Sequence, residues 1–317
     1  MEKLIAVDWG TSSLRAALLG PQGVVLDEQA SAEGILQVAP GGFPAVLRRI
    51  GERWAGGDAG NAPLVLMSGM VGSRQGWQEA SYCPCPAGFD DLARGLAWVP
   101  GGAAAPGLER VAIVPGLSCE HGRIPDLMHG RGIPDVMRGE ETQVYGAMAL
   151  LGIDSGLFVL PGTHSKWVRV RAGRIHDFHT FMTGEFYALL RRHSILARTL
   201  PEDDGPFDEG VFLRGVAQAR VSGSLLNTAF SVRTLSLFER MPSYAQPSYL
   251  SGLVIGEELR AQPPGALSEP VVVVGSAGLG QRYQLALHEY GTSARCVGPD
   301  ATWRGLWAMA GQLENAA

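Results

Sequence analysis

Apolar runs separated by short polar segments open the chain. Residues 4–8 and 14–19 are largely apolar, and the polar segment 9–13 lies between them. This pattern predicts two strands joined by a tight turn, and a third strand is expected at 24–26 after a second turn. The chain therefore begins with a predicted three-stranded meander.

The first of these turns carries groups that suit a phosphate chain. Gly10 can adopt the backbone dihedrals of a tight turn and lets backbone N–H groups approach a ligand. Thr11 and Ser12 add hydroxyl donors, and Asp8 stands where the first strand ends. Hydroxyls, amides and one carboxylate are what phosphates with bound Mg²⁺ require. The alternative is an ordinary hairpin whose polar turn is solvated, and one turn alone favours that alternative.

The same pattern recurs in the second half of the chain. An apolar run at 158–160 enters a polar turn, a strand is predicted at 167–170, and a third strand at 174–178. Both turns contain Gly-Thr-x-Ser in the same strand context, and this repetition favours phosphate binding. The candidate residues of the second turn are Gly162, Thr163, His164, Ser165 and Lys166.

Longer segments predict helices. One begins at Glu140 and carries Glu140 and Glu141 in its first turn, where acidic residues interact favourably with the helix dipole. Residues 118–135 are expected to be irregular because glycines and prolines interrupt them. A C-terminal helix at 301–313 is expected to pack back near the first half. Further helices are predicted at 44–54, 186–197, 209–221, 225–239 and 251–259.

A loop after the predicted strand at 64–67 is a second candidate site. It contains Ser73, Arg74, Gln75 and Trp77. An arginine supplies charge and a tryptophan a flat apolar wall, which suits an anionic polar ligand. The alternative is an arginine that packs over the tryptophan at the surface, and the sequence favours neither.

A four-valine strand at 271–274 leads into a third candidate site. Gly275, Ser276 and Gly278 follow it and precede a predicted helix. A strand, a small-residue turn and a helix N-terminus form a nucleotide site in many folds. A dinucleotide-binding unit that includes Asp300 is the alternative, although the glycine order is the reverse of G-x-G-x-x-G. The sequence contains no Walker A string.

Composition narrows the class of protein. The chain has 317 residues, enough for two domains. Its 46% hydrophobic and 18% charged residues are typical of a soluble globular protein, and its net charge of −5 gives no basic surface for nucleic acid. No run approaches a membrane span, and no signal peptide is expected because Asp8 interrupts the first apolar run. The few cysteines indicate a reducing compartment, with the cytoplasm as the expected location.

Taken together, the motifs resemble those of the 2-dehydro-3-deoxygalactonokinases, within the sugar kinase, Hsp70 and actin superfamily. The strings Ser-Arg-Gln-Gly-Trp, Arg-Gly-Glu-Glu-Thr-Gln and Pro-Gly-Thr-His-Ser-Lys are specific in combination. The matching stretches span almost the whole chain in the expected order. They are residues 7–11, 72–77, 138–143, 161–167, 184–185 and 275–276.

The resemblance implies an α/β fold of two related ribonuclease H-like domains, the actin-like ATPase fold, with a nucleotide cleft between them. We expect an N-terminal domain at 1–139 that carries the first phosphate turn and the sugar-acid loop. A C-terminal domain at 140–317 is expected to carry the second phosphate turn and the adenosine-binding segment, with an error of a few residues at the boundary. The turns at Gly10 and Gly162 are expected to face one another.

The resemblance also implies a reaction. ATP would donate its γ-phosphoryl group to O6 of 2-dehydro-3-deoxy-D-galactonate, giving 2-dehydro-3-deoxy-6-phosphogalactonate in galactonate catabolism. Asp8 would hold Mg²⁺, and Lys166 could neutralise developing charge. The two Gly-Thr turns would bind the phosphates, and Gly275, Ser276 and Gly278 would lie against adenosine.

Two residue roles stay open within this interpretation. Many sugar kinases place a catalytic aspartate near the start of the helix that opens the second half, and here the sequence does not decide which carboxylate is the base. The candidates are Asp135, Glu140 and Glu141. For the substrate carboxylate Arg74 is the first choice, because its fork can pair with both oxygens, and Arg138 and Arg15 come next.

Other functions also stay open. Another sugar or sugar-acid kinase, or a non-kinase ATP-binding member, would share the fold. The loop with Arg74 and Trp77 argues against the non-kinase member, because it indicates a small-ligand pocket. A dinucleotide-dependent oxidoreductase built on 275–300 leaves both Gly-Thr-x-Ser turns unexplained. The expected partners are ATP and a small sugar acid, with no nucleic acid and no membrane, and a homodimer is retained as a hypothesis.

Overall fold

The computed structural model of the protein describes residues 1–54, 63–100, 108–122 and 132–316. These residues group into two compact units. Unit 1 consists of Met1–Ser155, Val168–Phe178 and Pro299–Ala317, and unit 2 consists of Gly156–Trp167 and His179–Gly298. Residues within each unit pack more densely against one another than against the rest of the chain. The expected domain boundary between residues 139 and 140 stays a prediction.

The described chain contains both strands and helices. The strands are β1 (Leu4–Trp9), β2 (Leu14–Leu19), β3 (Val25–Ser31), β4 (Leu64–Ser68), β5 (Cys83–Pro84), β6 (Ala97–Trp98), β7 (Val111–Ile113), β8 (Leu117–His121), β9 (Ile133–Met137), β10 (Gly156–Leu160), β11 (Ser165–Arg171), β12 (Arg174–Phe181), β13 (Val271–Val274) and β14 (Ala294–Val297). The helices are α1 (Phe43–Trp54), α2 (Phe89–Arg94), α3 (Glu140–Leu151), α4 (Thr183–His193), α5 (Glu209–Val221), α6 (Leu225–Thr228), α7 (Phe230–Leu237), α8 (Gln246–Arg260), α9 (Ala277–Glu289) and α10 (Ala301–Ala316). The helices α4 to α8 follow in succession between β12 and β13.

The main sheet of unit 1 has the strand order β3-β2-β1-β4-β7-β6. β1, β2 and β3 pair antiparallel, whereas β4 joins β1 in parallel. The first predicted meander is thereby confirmed. The parallel step from β1 to β4 aligns the carboxyl ends of these two strands, so residues that follow them can share one site.

A second, three-stranded sheet in unit 1 has the order β5-β8-β9. The sequence predicts an irregular segment at 118–135, and this prediction is wrong at both ends because β8 and β9 pair antiparallel, with Cys119 opposite Asp135. Residues 123–131 of that segment lie outside the described residues. Asp135 therefore stands on a strand and not in an irregular loop.

Two helices, α1 and α10, pack against the main sheet of unit 1. The buried face of α1, with Val46, Leu47 and Ile50, packs in one apolar cluster with residues of β1. α10 packs against α3, β1 and α2. The expectation that the C-terminal helix returns to the first half of the chain is thereby confirmed.

The sheet of β10 to β14 has the order β12-β11-β10-β13-β14. Its first four strands repeat the order β3-β2-β1-β4, as the repeated sequence pattern predicts. α5, α8 and α9 pack on β10 and β13 in one apolar cluster that includes Phe212, Ile255 and Leu287. The predicted helix at 225–239 is two helices, α6 and α7. No helix in the described ranges is both long and apolar enough to cross a membrane.

Candidate active site

The first Gly-Thr turn joins β1 to β2. Gly10 N donates to Ser13 O at 2.9 Å and closes the turn. Thr11 and Ser12 are exposed, so their hydroxyls and amides face solvent. The turn therefore presents the donor groups that the sequence predicts.

Asp8, at the end of β1, forms an ion pair with Arg15 on β2. Arg15 Nη2 lies 2.6 Å from Asp8 Oδ2, and both side chains are half-buried. The guanidinium group of Arg15 lies over the Trp303 ring, 5.3 Å from its centre, and its Nη2 is 3.5 Å from Thr302 Oγ1. Arg15 is thus held against Asp8 by side chains of α10.

The end of β4 lies beside Asp8. The parallel register places Ser68 next to Asp8, and Gly69 follows with a φ of +95°. A Cβ atom at Gly69 would lie 2.8 Å from Trp9 O and 3.5 Å from Asp8 Oδ1. Glycine therefore satisfies the backbone conformation and keeps the space beside the carboxylate open.

The N-terminus of α3 reaches the same place. Gly139 has a φ of +106°, and a Cβ atom there would lie 3.2 Å from Gly69 Cα. Ser68 Oγ is 2.9 Å from Thr142 Oγ1 in a buried hydrogen bond. The ends of β1 and β4 and the first turn of α3 thus lie together, and we call this place the grouped site. Sequence reasoning missed Ser68, Gly69 and Thr142; the only sequence signal was that a glycine follows a buried strand.

The two glutamates of this helix turn have different environments. Glu140 is half-buried, and its Oε2 accepts a hydrogen bond of 2.9 Å from Arg138 N. Glu141 is fully buried, and both carboxylate oxygens lie within 2.9 Å of Gly139 N. Burial, with the nearby charge of Glu140, raises the pKa of Glu141 to about 8.

The third candidate base, Asp135, stands on β9. Its Oδ1 accepts from Val136 N at 2.8 Å, and its Oδ2 is 3.9 Å from His121 Nε2. Glu140 and Glu141 therefore stand in the first turn of α3, with Arg138 N and Gly139 N as their partners, and Asp135 belongs to the second sheet of unit 1.

The loop predicted to bind the sugar acid lines a cavity. Trp77 stacks on Phe43 with ring centres 6.2 Å apart, and Arg74 Nε lies 3.1 Å from Glu79 Oε1. The Arg74 side chain is 88% exposed. A cavity of about 400 Å³ lies beside the loop. It is lined by Val38, Pro40, Gly41, Phe43, Pro44, Gln75, Gly76 and Trp77.

Arg138, another candidate for the sugar-acid carboxylate, is packed into unit 1. Its Nη2 donates to Ala80 O at 2.7 Å, and its guanidinium group lies 4.4 Å from the centre of the Tyr82 ring. Within the described residues its Nε and Nη1 are buried without a hydrogen-bond partner, as is the hydroxyl of Ser73.

The second Gly-Thr turn, in unit 2, contacts the start of α4. Glu185 N donates to Thr163 O at 2.9 Å, and His164 Nε2 lies 2.6 Å from Glu185 Oε2. Thr163 and His164 are exposed, whereas Ser165 is 1% exposed. Lys166 is also buried and donates from Nζ to Thr180 Oγ1 at 2.7 Å.

The small-residue segment after β13 adjoins this turn within unit 2. A Cβ atom at Gly275 would lie 3.7 Å from Pro161 Cδ, and Ser276 and Gly278 are exposed at the start of α9. A cavity of about 70 Å³ lies nearby, and sequence reasoning missed most of its lining. The lining residues are Pro161, Gly162, Thr183, Gly184, Tyr187, Ser251, Val254, Ile255, Leu279, Arg282 and Tyr283.

Metal-binding groups are sparse in the described chain. It holds no cluster of three or more histidine, cysteine, aspartate or glutamate side chains that could bind a metal ion. Mg²⁺ in phosphoryl-transfer sites is commonly held by one or two carboxylates, waters and substrate phosphates. The half-buried Asp8, with open space kept at Gly69, fits that mode of binding.

The comparisons with known proteins first define the class. An N-acetylglucosamine kinase structure from Porphyromonas gingivalis, at 13% identity, matches with a TM-score of 0.50 over 98% of this chain and 99% of that one, and shows the fold alone. Together with the repeated strand order, it places the chain among the α/β proteins with the actin-like ATPase fold. The predicted fold class is confirmed.

The chain belongs to the 2-keto-3-deoxy-galactonokinase family, whose model matches residues 8–309. It is 41% identical over 311 residues to a Rhizobium meliloti (strain 1021) protein assigned as a 2-dehydro-3-deoxygalactonokinase, covering 96% of this chain and 95% of the relative. It is 34% identical over 316 residues to the 2-dehydro-3-deoxygalactonokinase of Escherichia coli (strain K12), covering 99% of each. A crystal structure of a Sinorhizobium meliloti protein with the same assignment matches with a TM-score of 0.81 at 38% identity, over 98% of this chain and 99% of that one. The resemblance drawn from the sequence motifs is confirmed.

Proposed function

We propose that this chain transfers the γ-phosphoryl group of ATP to O6 of 2-dehydro-3-deoxy-D-galactonate, giving 2-dehydro-3-deoxy-6-phosphogalactonate in galactonate catabolism. Membership of the kinase family supports the substrate. The structural observation that carries the proposal is the grouping of Asp8, Gly69 and the first turn of α3. Phosphoryl transfer depends mostly on positioning and charge stabilisation, and this grouping offers carboxylates beside an open backbone surface.

Asp8 is the proposed ligand of Mg²⁺, directly or through water. When bound, the ion neutralises charge on the phosphates of ATP. The Asp8 Oδ2 atom pairs with Arg15, and the space beside Oδ1 is bounded by Gly69. We infer that Arg15 orients the carboxylate and does not bind the sugar acid.

Each of the two Gly-Thr turns is proposed to bind phosphate groups of ATP. In the first turn the groups that can reach a ligand are those of the exposed Thr11 and Ser12, because Gly10 N already donates to Ser13 O and shapes the turn. In the second turn they belong to Gly162, Thr163 and His164, because the side chains of Ser165 and Lys166 are buried. Adenosine is proposed to lie against Gly275, Ser276 and Gly278.

We propose Glu140 as the general base. A base must come within about 3 Å of the accepting hydroxyl or act through one water, and Glu140 is the half-buried glutamate in the first turn of α3. Glu141 is enclosed and has both oxygens on Gly139 N. Asp135 remains the second choice because it lies on the second sheet of unit 1.

Arg74 is proposed to pair with the carboxylate of the sugar acid. It is exposed on the loop that lines the 400 Å³ cavity, and its pair with Glu79 is at the surface, where an ion pair contributes only about 0–1 kcal/mol. A ligand carboxylate can therefore displace Glu79 at low cost. Arg138 is the next choice: its Nη2 donates to Ala80 O and its guanidinium group lies over the Tyr82 ring, while in the described residues its Nε and Nη1 are buried without a hydrogen-bond partner.

The remaining proposals concern partners and location. We propose that the protein uses ATP and a sugar acid as its small-molecule partners, binds no nucleic acid, works in the cytoplasm and forms a homodimer. The net charge of −5 supports the proposal on nucleic acid. Light scattering of the purified chain tests the dimer.

An ADP-release assay across substrates tests the proposed function. We expect turnover of 2-dehydro-3-deoxygalactonate that depends on ATP and Mg²⁺, slower turnover of its C4 epimer, and little turnover of glucose, galactose or glycerol. If neutral hexoses turned over equally well, the protein would be a sugar kinase that does not require an acid substrate. Binding of ATP without turnover of any sugar would favour a non-kinase member, and binding of NAD in place of ATP would favour an oxidoreductase.

A further inference from the structure

A buried carboxylate lies behind the second Gly-Thr turn. Glu258, on α8, is 2% exposed. Its Oε1 accepts from Trp167 Nε1 at 2.6 Å, and its Oε2 accepts from Tyr283 Oη at 2.8 Å and from Thr183 Oγ1. Burial raises the pKa of Glu258, and hydrogen bonds from these three side chains and from Ser165 oppose that rise. All of these residues belong to unit 2.

This carboxylate is connected to the turn through Ser165. Ser165 Oγ lies 2.8 Å from Tyr283 Oη, and both groups are buried. Because the Tyr283 hydrogen points at Glu258, the Tyr283 oxygen is left to accept a hydrogen bond from Ser165. Glu258 thereby sets the direction of the hydrogen bonds that hold the last residue of the Gly-Thr-x-Ser string.

Glu258 also binds the start of α4, and α4 contacts the turn. Thr183, the first residue of α4, donates to Glu258. The next residue, Gly184, lies so close to the turn that a Cβ atom there would clash with Gly162 O. Glu185 N then donates to Thr163 O at 2.9 Å. The start of α4 and the end of the turn are thus tied to one carboxylate.

We propose that Glu258 is a positioning residue that fixes the second Gly-Thr turn in the shape that binds the phosphates of ATP. It acts through Tyr283 and Ser165 on one side and through Thr183 on the other, and it does not touch the nucleotide. A buried carboxylate with several donors rigidifies its surroundings, because each donor left without its acceptor would be buried and unpaired. The proposal rests on the proposed function, in which this turn binds ATP.

Two substitutions test the proposal. Tyr283→Phe removes only the hydroxyl group that pairs with both Ser165 and Glu258. Glu258→Gln keeps the shape of the side chain but presents an NH₂ group that must point at one of the donors around it. Tyr249→Phe is the matched control: Tyr249 is a buried tyrosine on the same helix as Glu258, and its hydroxyl pairs with Ser231 at 3.0 Å.

The measurements are the Kd of a non-hydrolysable ATP analogue by calorimetry, the KM for ATP and the KM for the sugar acid. For Tyr283→Phe we expect the Kd and the KM for ATP to rise roughly two- to tenfold, the effect of one hydrogen bond. Glu258→Gln should raise both further. The KM for the sugar acid should stay within about twofold of the wild-type value, and Tyr249→Phe should change none of the three quantities by more than that.

The outcome for Tyr283→Phe decides the proposal even where Glu258→Gln does not fold. Unchanged binding of the ATP analogue by Tyr283→Phe would overturn it. An equal rise in the KM for both substrates, or the same rise in Tyr249→Phe, would also overturn it, because a general loss of stability would then explain the result. Failure of the wild-type chain to bind the ATP analogue would instead contradict the proposed function.

Discussion

The two Gly-Thr turns share a sequence pattern and differ in their support. In the first turn Ser13, the last residue of the string, is exposed, and a backbone hydrogen bond from Gly10 N to Ser13 O closes the turn. In the second turn Ser165 is buried against Tyr283, behind which lies Glu258. The comparison teaches that a shared string specifies a backbone turn, while distant partners decide which of its side chains can reach a ligand.

Three carboxylates that we assign to the reaction or to the support of a turn differ in the same way. Asp8 and Glu140 are half-buried in unit 1, where they can reach a ligand, whereas Glu258 is enclosed in unit 2. If this difference reflects function, substitutions of the half-buried carboxylates in unit 1 should lower kcat. Substitutions around the second Gly-Thr turn, in unit 2, should raise the KM for ATP. The following predictions test that division.

The largest effect is expected for Asp8→Asn. A neutral amide is a poor ligand for a hard cation, so Mg²⁺-dependent turnover should be nearly abolished while the fold is kept. The measurements are kcat by ADP release and the thermal unfolding midpoint. Asp27→Asn is the control, since Asp27 also pairs with an arginine, Arg53, at the surface of unit 1. Near-normal activity of Asp8→Asn would remove Asp8 from the mechanism.

The general base should give the next largest effect. Glu140→Gln should lower kcat by about 10²- to 10⁴-fold with little change in the KM for the sugar acid, because proton transfer is lost and binding is not. Asp135→Asn and Glu141→Gln serve as comparisons under the same assay. A larger loss of kcat in Asp135→Asn would move the role to Asp135, and normal kcat in all three would leave the phosphate itself as the proton acceptor.

The buried carboxylate of unit 1 predicts a dependence of stability on pH. The pKa of Glu141 is about 8 in the folded chain against 4.5 for an ordinary glutamate, so between these values the unfolded chain has lost a proton that the folded chain keeps. The stabilising contribution is complete below about pH 4.5 and is lost as pH rises through about 8. Relative to the wild type, Glu141→Gln should therefore gain stability from pH 5 to pH 8 in urea titrations. A pH-independent difference would contradict the raised pKa.

A smaller change is expected for Arg74→Lys. Lysine keeps the charge but lacks the planar fork, so the KM for the sugar acid should rise roughly three- to tenfold while the KM for ATP stays unchanged. Arg94→Lys is the control, because Arg94 is likewise exposed and paired with acidic side chains. An unchanged KM for the sugar acid in Arg74→Lys would return Arg138 to first place.

The smallest effect compares the two turns directly. Ser165→Ala should lower the free energy of unfolding by about 1–3 kcal/mol, because it leaves a buried group at Tyr283 without its partner. Ser13→Ala, the equivalent change in the first turn, should alter stability by less than about 0.5 kcal/mol, because Ser13 is exposed. Denaturant titration measures both, and equal losses would mean that the two turns are supported alike.

Local patterns made much of the fold predictable. The meanders at residues 4–31 and 156–181 follow from apolar runs separated by short polar turns, and α3 and α5 begin where the sequence predicts. β8 and β9 were missed because their stability comes from pairing with each other and with β5, and not from an apolar alternation in either strand.

The site was predictable where its chemistry is local. The motif around Asp8 and Gly10 forms the tight turn that the sequence predicts, and its role in phosphate binding stays a prediction. The burial of Ser165 depends on Tyr283, 118 residues away, and Thr142 meets Ser68 across 74 residues. A single sequence contains no signal for such contacts, so the string Gly-Thr-x-Ser predicts two equivalent turns where the structure has one open turn and one anchored turn.

The central claim is that the chain transfers a phosphoryl group from ATP to the terminal hydroxyl of a sugar acid. Its most direct test is NMR spectroscopy of the product formed from ATP, Mg²⁺ and 2-dehydro-3-deoxygalactonate, with phosphorus–carbon coupling locating the ester. The account predicts one phosphate ester, at O6. Phosphate on another oxygen, or release of inorganic phosphate with the sugar acid unchanged, would contradict it.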